Sequence, residues 1–324
     1  MNLDALASPL VALTLLGALA VLIVSAKSFT GAAEHVGIAA GLSPFAVGVF
    51  IVALGTSLPE LVSSVLAVSR GTSEVVSGNV LGANTANLLF ILGVVAAASK
   101  RGIRLGEQYI AIDLNFMVGS AMVLAVVMFD GAVGRVEAGL LVAGYVAYMG
   151  YLMTEGRSAG ADAHFTSAIE TPATSRVRPR DVATLVAAGA GIYVGAGVTL
   201  DALMVSAGRI GISPAIASLT ILSLGTTLPE LAVSITAARA GRAEMAVGNI
   251  LGSCIFNSFG VLGIAALVGP VVVPRELVRL PLPAYVGSAF LFYLLTQDKR
   301  VSRWEGVLFV LLYLLLLAEL GGLA

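Results

Sequence analysis

Two glutamates, Glu60 and Glu230, stand in otherwise apolar stretches, each directly after a proline: GTSLPE at 55–60 and GTTLPE at 225–230. An ionisable side chain in hydrocarbon is expensive and by default marks a path for ions or protons. The prolines Pro59 and Pro229 have no backbone N–H and their rings crowd the preceding turn, so the carbonyls of Gly55 and Gly225 lose their helical partners. Such orphaned carbonyls survive in a membrane only inside protein or beside water. A cation is a suitable partner for them. Thr56 and Ser57 add two hydroxyl oxygens in the first motif, Thr226 and Thr227 in the second. A donor set made only of oxygen suits hard cations such as Na⁺ and Ca²⁺ rather than zinc or copper. Two carboxylates brought together would not both stay ionised in an empty, dry site. One divalent cation neutralises the pair, and so do two monovalent cations or two protons. Competition of that kind at a shared site is the minimal basis of exchange.

A second duplicated motif follows each of the first. GNVLGANTAN (78–87) and GNILGSCIFN (248–257) place Ala83 with Asn87, and Ser253 with Asn257, four apart on one helix face. Asn79 and Asn249 lie on the same helices and read first as interhelical hydrogen-bonding residues. Gly78, Gly82, Gly248 and Gly252 repeat as small-xxx-small, which lets these helices approach the carboxylate-bearing ones closely. Glu74 and Glu244 also match between copies, but they sit at predicted helix starts, where charge complementarity explains them. Asp113, within a predicted span, and Asp201, expected to face a vestibule, have no counterpart in the other half and are secondary candidates for ion passage. His35 and His164 fall in predicted loops.

The elements that must position these residues are membrane helices. Of 324 residues 58% are hydrophobic and only 11% charged, against about 25% charged in a soluble domain. Mean hydropathy is +0.99. A net charge of −1 leaves no basic footprint for nucleic acid. The single cysteine, Cys254, excludes an intrachain disulfide. The N-terminal apolar run lacks a basic leader, carries Asp4 and is long enough to span, so it reads as a retained helix rather than a signal peptide.

Apolar segments between short polar breaks give ten expected spans: 8–27, 36–69, 74–99, 107–129, 133–154, 181–206, 212–238, 244–269, 278–296 and 303–321. The second and seventh are too long and too interrupted to be straight helices. The polar stretch 155–180 reads as a linker between halves 1–154 and 181–324. Residues 41–93 align without gaps to 211–263, roughly 22 of the 53 positions being identical, which marks an internal repeat. With an odd number of spans per half, the second copy enters the membrane upside down. The expected fold is therefore an all-α polytopic membrane protein built from two inverted five-helix repeats, an architecture that holds substrate near the midplane. Placing the N-terminus outside puts 13 of the 18 Lys and Arg residues on the cytoplasmic side and 5 outside, so both termini are expected outside and the linker inside.

At these motifs the chain resembles the cation/calcium exchanger superfamily, particularly prokaryotic sodium/calcium exchangers, whose two inverted repeats carry G-[ST]-[ST]-x-P-E and G-N-x-x-G-[SA]-x-x-x-N. The resemblance implies a core of the second, third, seventh and eighth helices holding Ca²⁺ or Na⁺ alternately, with the first and sixth helices sliding across it. It implies that Glu60 and Glu230 are the central carboxylates, that Thr56 and Thr226 give carbonyls and hydroxyls, and that Ser57 and Thr227 give flanking oxygens. Ser253 with the carbonyls of Ala53 and Ser223 would line flanking sodium sites, and Asn87 and Asn257 would complete the middle. Two positions depart from the pattern: Ala83 stands where many members have Ser, and Asn257 where some have Asp.

The expected function is Ca²⁺ for Na⁺ antiport by alternating access at the cell membrane, with Ca²⁺/H⁺ exchange as the alternative. No enzyme activity and no cofactor are implied; the partners are the ions and the lipid bilayer, and a monomer is compatible with the sequence. A channel would more often line one pore with subunits around an axis, and a hydrolase is disfavoured because no HExxH motif or Ser–His pair is evident. If position 83 lines a sodium site, Ala83→Ser should lower the Na⁺ concentration for half-maximal exchange; an unchanged Na⁺ dependence would remove position 83 from that site.

Overall fold

In hydrocarbon every backbone N–H and C=O must be satisfied within the chain, which leaves helices as the default for apolar runs of this length. The computed structural model describes residues 7–39, 53–99, 102–105, 114–158, 177–239 and 243–321, and these are predominantly helical. In chain order the first half contains α1 (Ser8–Ala39), α2 (Ala53–Thr56), α3 (Leu58–Ser69) and α4 (Glu74–Thr85). A π-helical turn (Ala86–Ile91) joins α4 to α5 (Leu92–Ala98), and the strand β1 (Ile103–Arg104) follows. Then come α6 (Asn115–Met128), β2 (Ala132–Val133) and α7 (Arg135–Ser158). The second half opens with α8 (Pro179–Ile210) and α9 (Pro214–Ala217), a π turn (Ser218–Leu222), α10 (Ser223–Thr226), α11 (Leu228–Arg239) and α12 (Ala243–Ile255). A third π turn (Phe256–Val261) leads to α13 (Leu262–Val268), β3 (Val271–Val272), α14 (Arg275–Arg279), α15 (Pro281–Leu295), β4 (Arg300–Val301) and α16 (Arg303–Leu320).

Among the described residues, five helices are long and apolar enough to cross a membrane, or six when the bent pair 214–226 and 228–239 is one span. The expectation of a purely helical fold is corrected by two small clips. β1 pairs with β4 and β2 with β3, both antiparallel and each joining one half to the other.

The expected end of the first span at residue 27 is also corrected, because α1 continues unbroken to Ala39. The polar residues that suggested a break satisfy themselves on the preceding turn: Ser28 Oγ donates to the Val24 carbonyl at 2.9 Å and Thr30 Oγ1 to that of Ala26 at 2.9 Å. His35 is therefore on a helix, not in a loop, and lies 3.8 Å from Asp181 of α8. α7 runs past the expected limit of 154 to Ser158. Residues 159–176 of the expected linker, with His164, and Asp113 of the fourth span lie outside the described residues.

Small residues set how the two halves meet. A side-chain Cβ on Gly78 would strike the carbonyl of Ala215, and one on Gly82 the carbonyl of Leu219. Residues 78 and 82 thus lie beside 215 and 219 in the same order, so α4 runs parallel to the second half's 214–226 segment. α3 joins α4 through a tight turn at Gly71, whose φ of 77° favours glycine, and runs antiparallel to it. The duplicated LPE helices α3 and α11 consequently run in opposite directions. Ser218 Oγ reinforces the contact by donating to the Val75 carbonyl at 2.7 Å.

Burial separates centre from periphery. The spans Glu74–Ala98 and Ala246–Val268 are 83% buried over their central window, whereas α1 and α8 are 33% buried. α1 and α8 pack chiefly against each other. Because Gly78 faces backbone rather than a movable side chain, Gly78→Val should destabilise the protein by roughly 1–3 kcal/mol, read as a lower midpoint of thermal unfolding in detergent. An unchanged midpoint would show that the copies do not meet there as described.

Candidate cation site

Ser57 (φ −93°, ψ 11°) separates α2 from α3 and Thr227 (φ −84°, ψ 1°) separates α10 from α11. The second break bends the span by 41°. Each break places a hydroxyl residue at the kink and a glutamate one turn into the next helix. Glu60 is 1% exposed and Glu230 0%, and they lie close enough for their charges to interact.

Around them the structure gathers oxygen from both copies. Ser57 Oγ donates to Glu230 Oε1 at 3.2 Å across 173 residues of sequence. Ser253 Oγ lies 3.5 Å from the same oxygen and 3.4 Å from Ser57 Oγ. Thr56 and Thr226 are buried at the ends of α2 and α10, directly before the two breaks. Thr226 Oγ1 reaches Asn79 Oδ1 at 3.5 Å, a bond between copies, whereas Asn249 Nδ2 bonds Ser234 within its own copy at 3.4 Å. Asn87 and Asn257 are buried at matching positions in two π turns. Ala83 is buried one helical turn before Asn87, as Ser253 is before Asn257. Ala53 opens α2.

The two flanks of the site differ. Thr227, the counterpart of Ser57, turns its hydroxyl back to the carbonyls of Ser223 at 2.9 Å and Leu224 at 3.3 Å. The Ser223 carbonyl also accepts the Thr227 N–H at 3.0 Å. The cluster of Ser57, Ser253 and Glu230 therefore has no mirror image formed by Thr227, Ala83 and Glu60.

Both oxygens of Glu60, Oε2 of Glu230 and the side-chain amides of Asn87 and Asn257 have no nitrogen or oxygen partner among the described residues. No described Lys or Arg lies within 4 Å of either carboxylate; ion pairs elsewhere include Arg70–Asp201 and His35–Asp181. A buried carboxylate left unpaired costs several kcal/mol, so this donor set fits a bound cation, or protons, as its compensation. Asp201 is thus half-exposed and paired with Arg70 rather than open in a vestibule.

Sequence reasoning missed the π turns, which are frequent at functional sites and have no sequence signature beyond the duplicated Asn. It also missed a polar layer beside the site. Asn84 Nδ2 donates to Ser258 Oγ at 2.9 Å, and Ser258 lies 3.3 Å from the Tyr285 hydroxyl.

Apolar helices enclosing a buried, oxygen-lined cluster with two carboxylates mark a multi-pass membrane protein. The family described as sodium/calcium exchanger protein matches residues 10–154 and 181–320. The chain belongs to that family. It is 31% identical to the sodium/calcium exchanger MaX1 of Methanosarcina acetivorans over 95% of this chain and 97% of that one. It is 27% identical to the putative antiporter CaxA of Alkalimonas amylolytica over 91% and 94% of the two chains. Among solved structures it is similar to the sodium-calcium exchanger NCX_Mj soaked with 10 mM Na⁺ and 10 mM Sr²⁺, with a TM-score of 0.67, 25% identity, and 96% and 99% of the chains covered.

The asymmetry of the flanks is testable. Ser57→Ala removes a hydrogen bond to Glu230 worth about 0.5–1.5 kcal/mol, so it should weaken Ca²⁺ binding to the purified protein by roughly two- to tenfold. Thr227→Ala should weaken it less. Equal losses in titration calorimetry would mean that the two hydroxyls serve the site alike.

Proposed function

We propose that this protein is a secondary antiporter that exchanges Ca²⁺ for Na⁺ at one shared site between the two copies. The observation that carries the reading is the pair Glu60 and Glu230, buried without a basic partner among the described residues, with Ser57 and Ser253 on Glu230 and buried Thr56 and Thr226 at the breaks. Hard oxygen donors and two carboxylates suit Ca²⁺, which takes 6–8 oxygen ligands. The same carboxylates suit monovalent cations in its place, so the two cargoes exclude each other. Family membership and the names of MaX1 and CaxA support exchange over a channel.

Within this reading Glu60 and Glu230 bind both cargoes. The helix breaks supply hydroxyls and carbonyls, and Asn87 and Asn257 close the site along the membrane plane. Ala83 and Asn257 remove a hydroxyl and a carboxylate from the resemblance's fuller pattern, so this site coordinates with two acidic groups. The full architecture is ten spans with both termini outside, which puts the Lys27 end of α1 on the cytoplasmic side of the cell membrane. Ca²⁺ leaves the cell as Na⁺ enters.

Purified protein in liposomes should accumulate Ca²⁺ against its gradient when a Na⁺ gradient is imposed and should not respond to a pH gradient alone. Glu60→Gln and Glu230→Gln should each abolish that flux in protein that still folds and inserts. Uptake driven only by pH would replace Na⁺ with H⁺ as the counter-ion. Equilibration without any coupling gradient would indicate a channel, and near-normal exchange by either glutamine variant would displace the two-carboxylate site.

A further inference from the structure

The 170-residue offset that aligns the motifs continues ungapped back to Pro9 and Pro179. α1 and α8 are therefore counterparts, and the interface of α8 with α3 is the counterpart of the interface of α1 with α11. The structure holds these two equivalent interfaces in different states. Between α1 and α11 lies a cavity of about 220 Å³, lined by Lys27 and Gly31 of α1, Thr56, and Pro229 and Val233 of α11. The cavity is partly open, exposed Lys27 is on its lining, and it reaches Thr56 beside the candidate site.

At the equivalent place in the other half the counterparts of the lining residues Thr30 and Thr56, Leu200 and Thr226, are buried. Gly197 and Asp201 of α8 stand where Lys27 and Gly31 stand in α1, and Ser63, the counterpart of Val233, is fully buried. Arg70, at the end of α3, crosses this interface. Its Nη1 donates to Asp201 Oδ1 at 2.7 Å and to the Gly197 carbonyl at 3.0 Å. A Cβ at position 197 would sit 2.8 Å from Arg70 Nη2, so the glycine leaves room for the guanidinium against the helix backbone. The counterpart of Arg70 is Ala240 and that of Asp201 is Gly31, so the Lys27 end cannot form the same bridge.

We propose that the Arg70–Asp201 bridge is a one-sided latch: it holds the Arg70 end of the ion path shut while the Lys27 end is open, and it must part once in every transport cycle. Two equivalent interfaces caught open and closed are the two states that one site must visit to be reached from both sides. Because the bridge exists at one end only, it biases the resting protein toward the state open at the Lys27 end. The inference rests on alternating access but not on the identity of the counter-ion.

The latch is tested by thiol labelling in a Cys254→Ala background, with Val233→Cys reporting the Lys27 end and Ser63→Cys the Arg70 end. Oriented membranes are treated with a membrane-impermeant maleimide from each side, without Ca²⁺ or Na⁺, so the readout does not depend on transport. Val233→Cys should react and Ser63→Cys should be protected. Asp201→Asn or Arg70→Gln should raise the Ser63→Cys rate and lower the Val233→Cys rate by about two- to fivefold each, as expected for a partly exposed ion pair. The exchanged pair Arg70→Asp with Asp201→Arg should return both rates toward the starting values. Unchanged rates in both single variants would overturn the latch, and so would an exchanged pair that labels like the single variants.

Discussion

Two carboxylates buried with no basic residue within reach among the described residues are the constraint on which this structure depends. An isolated membrane carboxylate is tolerated poorly, and Glu60 and Glu230 are both fully buried. The surrounding features answer that difficulty. Prolines break the helices beside them so that hydroxyls and carbonyls point inward, glycines bring α4 against the second copy, and Ser57 and Ser253 reach the same oxygen of Glu230. The copies run in opposite directions, so one sequence motif contributes to a single site from both sides of the membrane. A site held together by protein hydrogen bonds alone would have no reason to release its contents. One whose charge is balanced only by its cargo can exchange it.

Much of this was legible from residues. Pro59 with Glu60 and Pro229 with Glu230 specified the breaks, because a missing N–H and an apolar-embedded charge have few explanations in a membrane. The ungapped duplication specified that the breaks would meet. What stayed illegible depended on packing between distant segments. Ser28 and Thr30 looked like the end of a helix, yet their hydroxyls bond the preceding turn and α1 runs on. Asp201 looked like a lone intramembrane acid, and only the approach of α3 to α8 supplies Arg70. The π turns at 86–91 and 256–261 follow from neighbouring contacts rather than from any residue type.

The internal symmetry is as informative where it fails. Ser57 points into the site and Thr227 back along its own helix; Ala83 has no hydroxyl where Ser253 has one. The halves have diverged on opposite flanks of an otherwise paired centre, so the two sides of the bound cargo meet different chemistry. The same is true further out, where Gly197 and Asp201 on α8 correspond to Lys27 and Gly31 on α1. A transporter made of identical halves would be indifferent to direction, and these halves are not identical.

The two short clips, β1 with β4 and β2 with β3, have a mechanical meaning. Each ties a connection of the first half to a connection of the second, and neither involves α1 or α8. Fastened across the pseudo-symmetry axis in this way, the buried rods and the helices α6, α7, α15 and α16 around them form a frame that resists shear between its halves. The clips thereby tie the connections of two similar halves into one body, with α1 and α8 held to it by side chains alone.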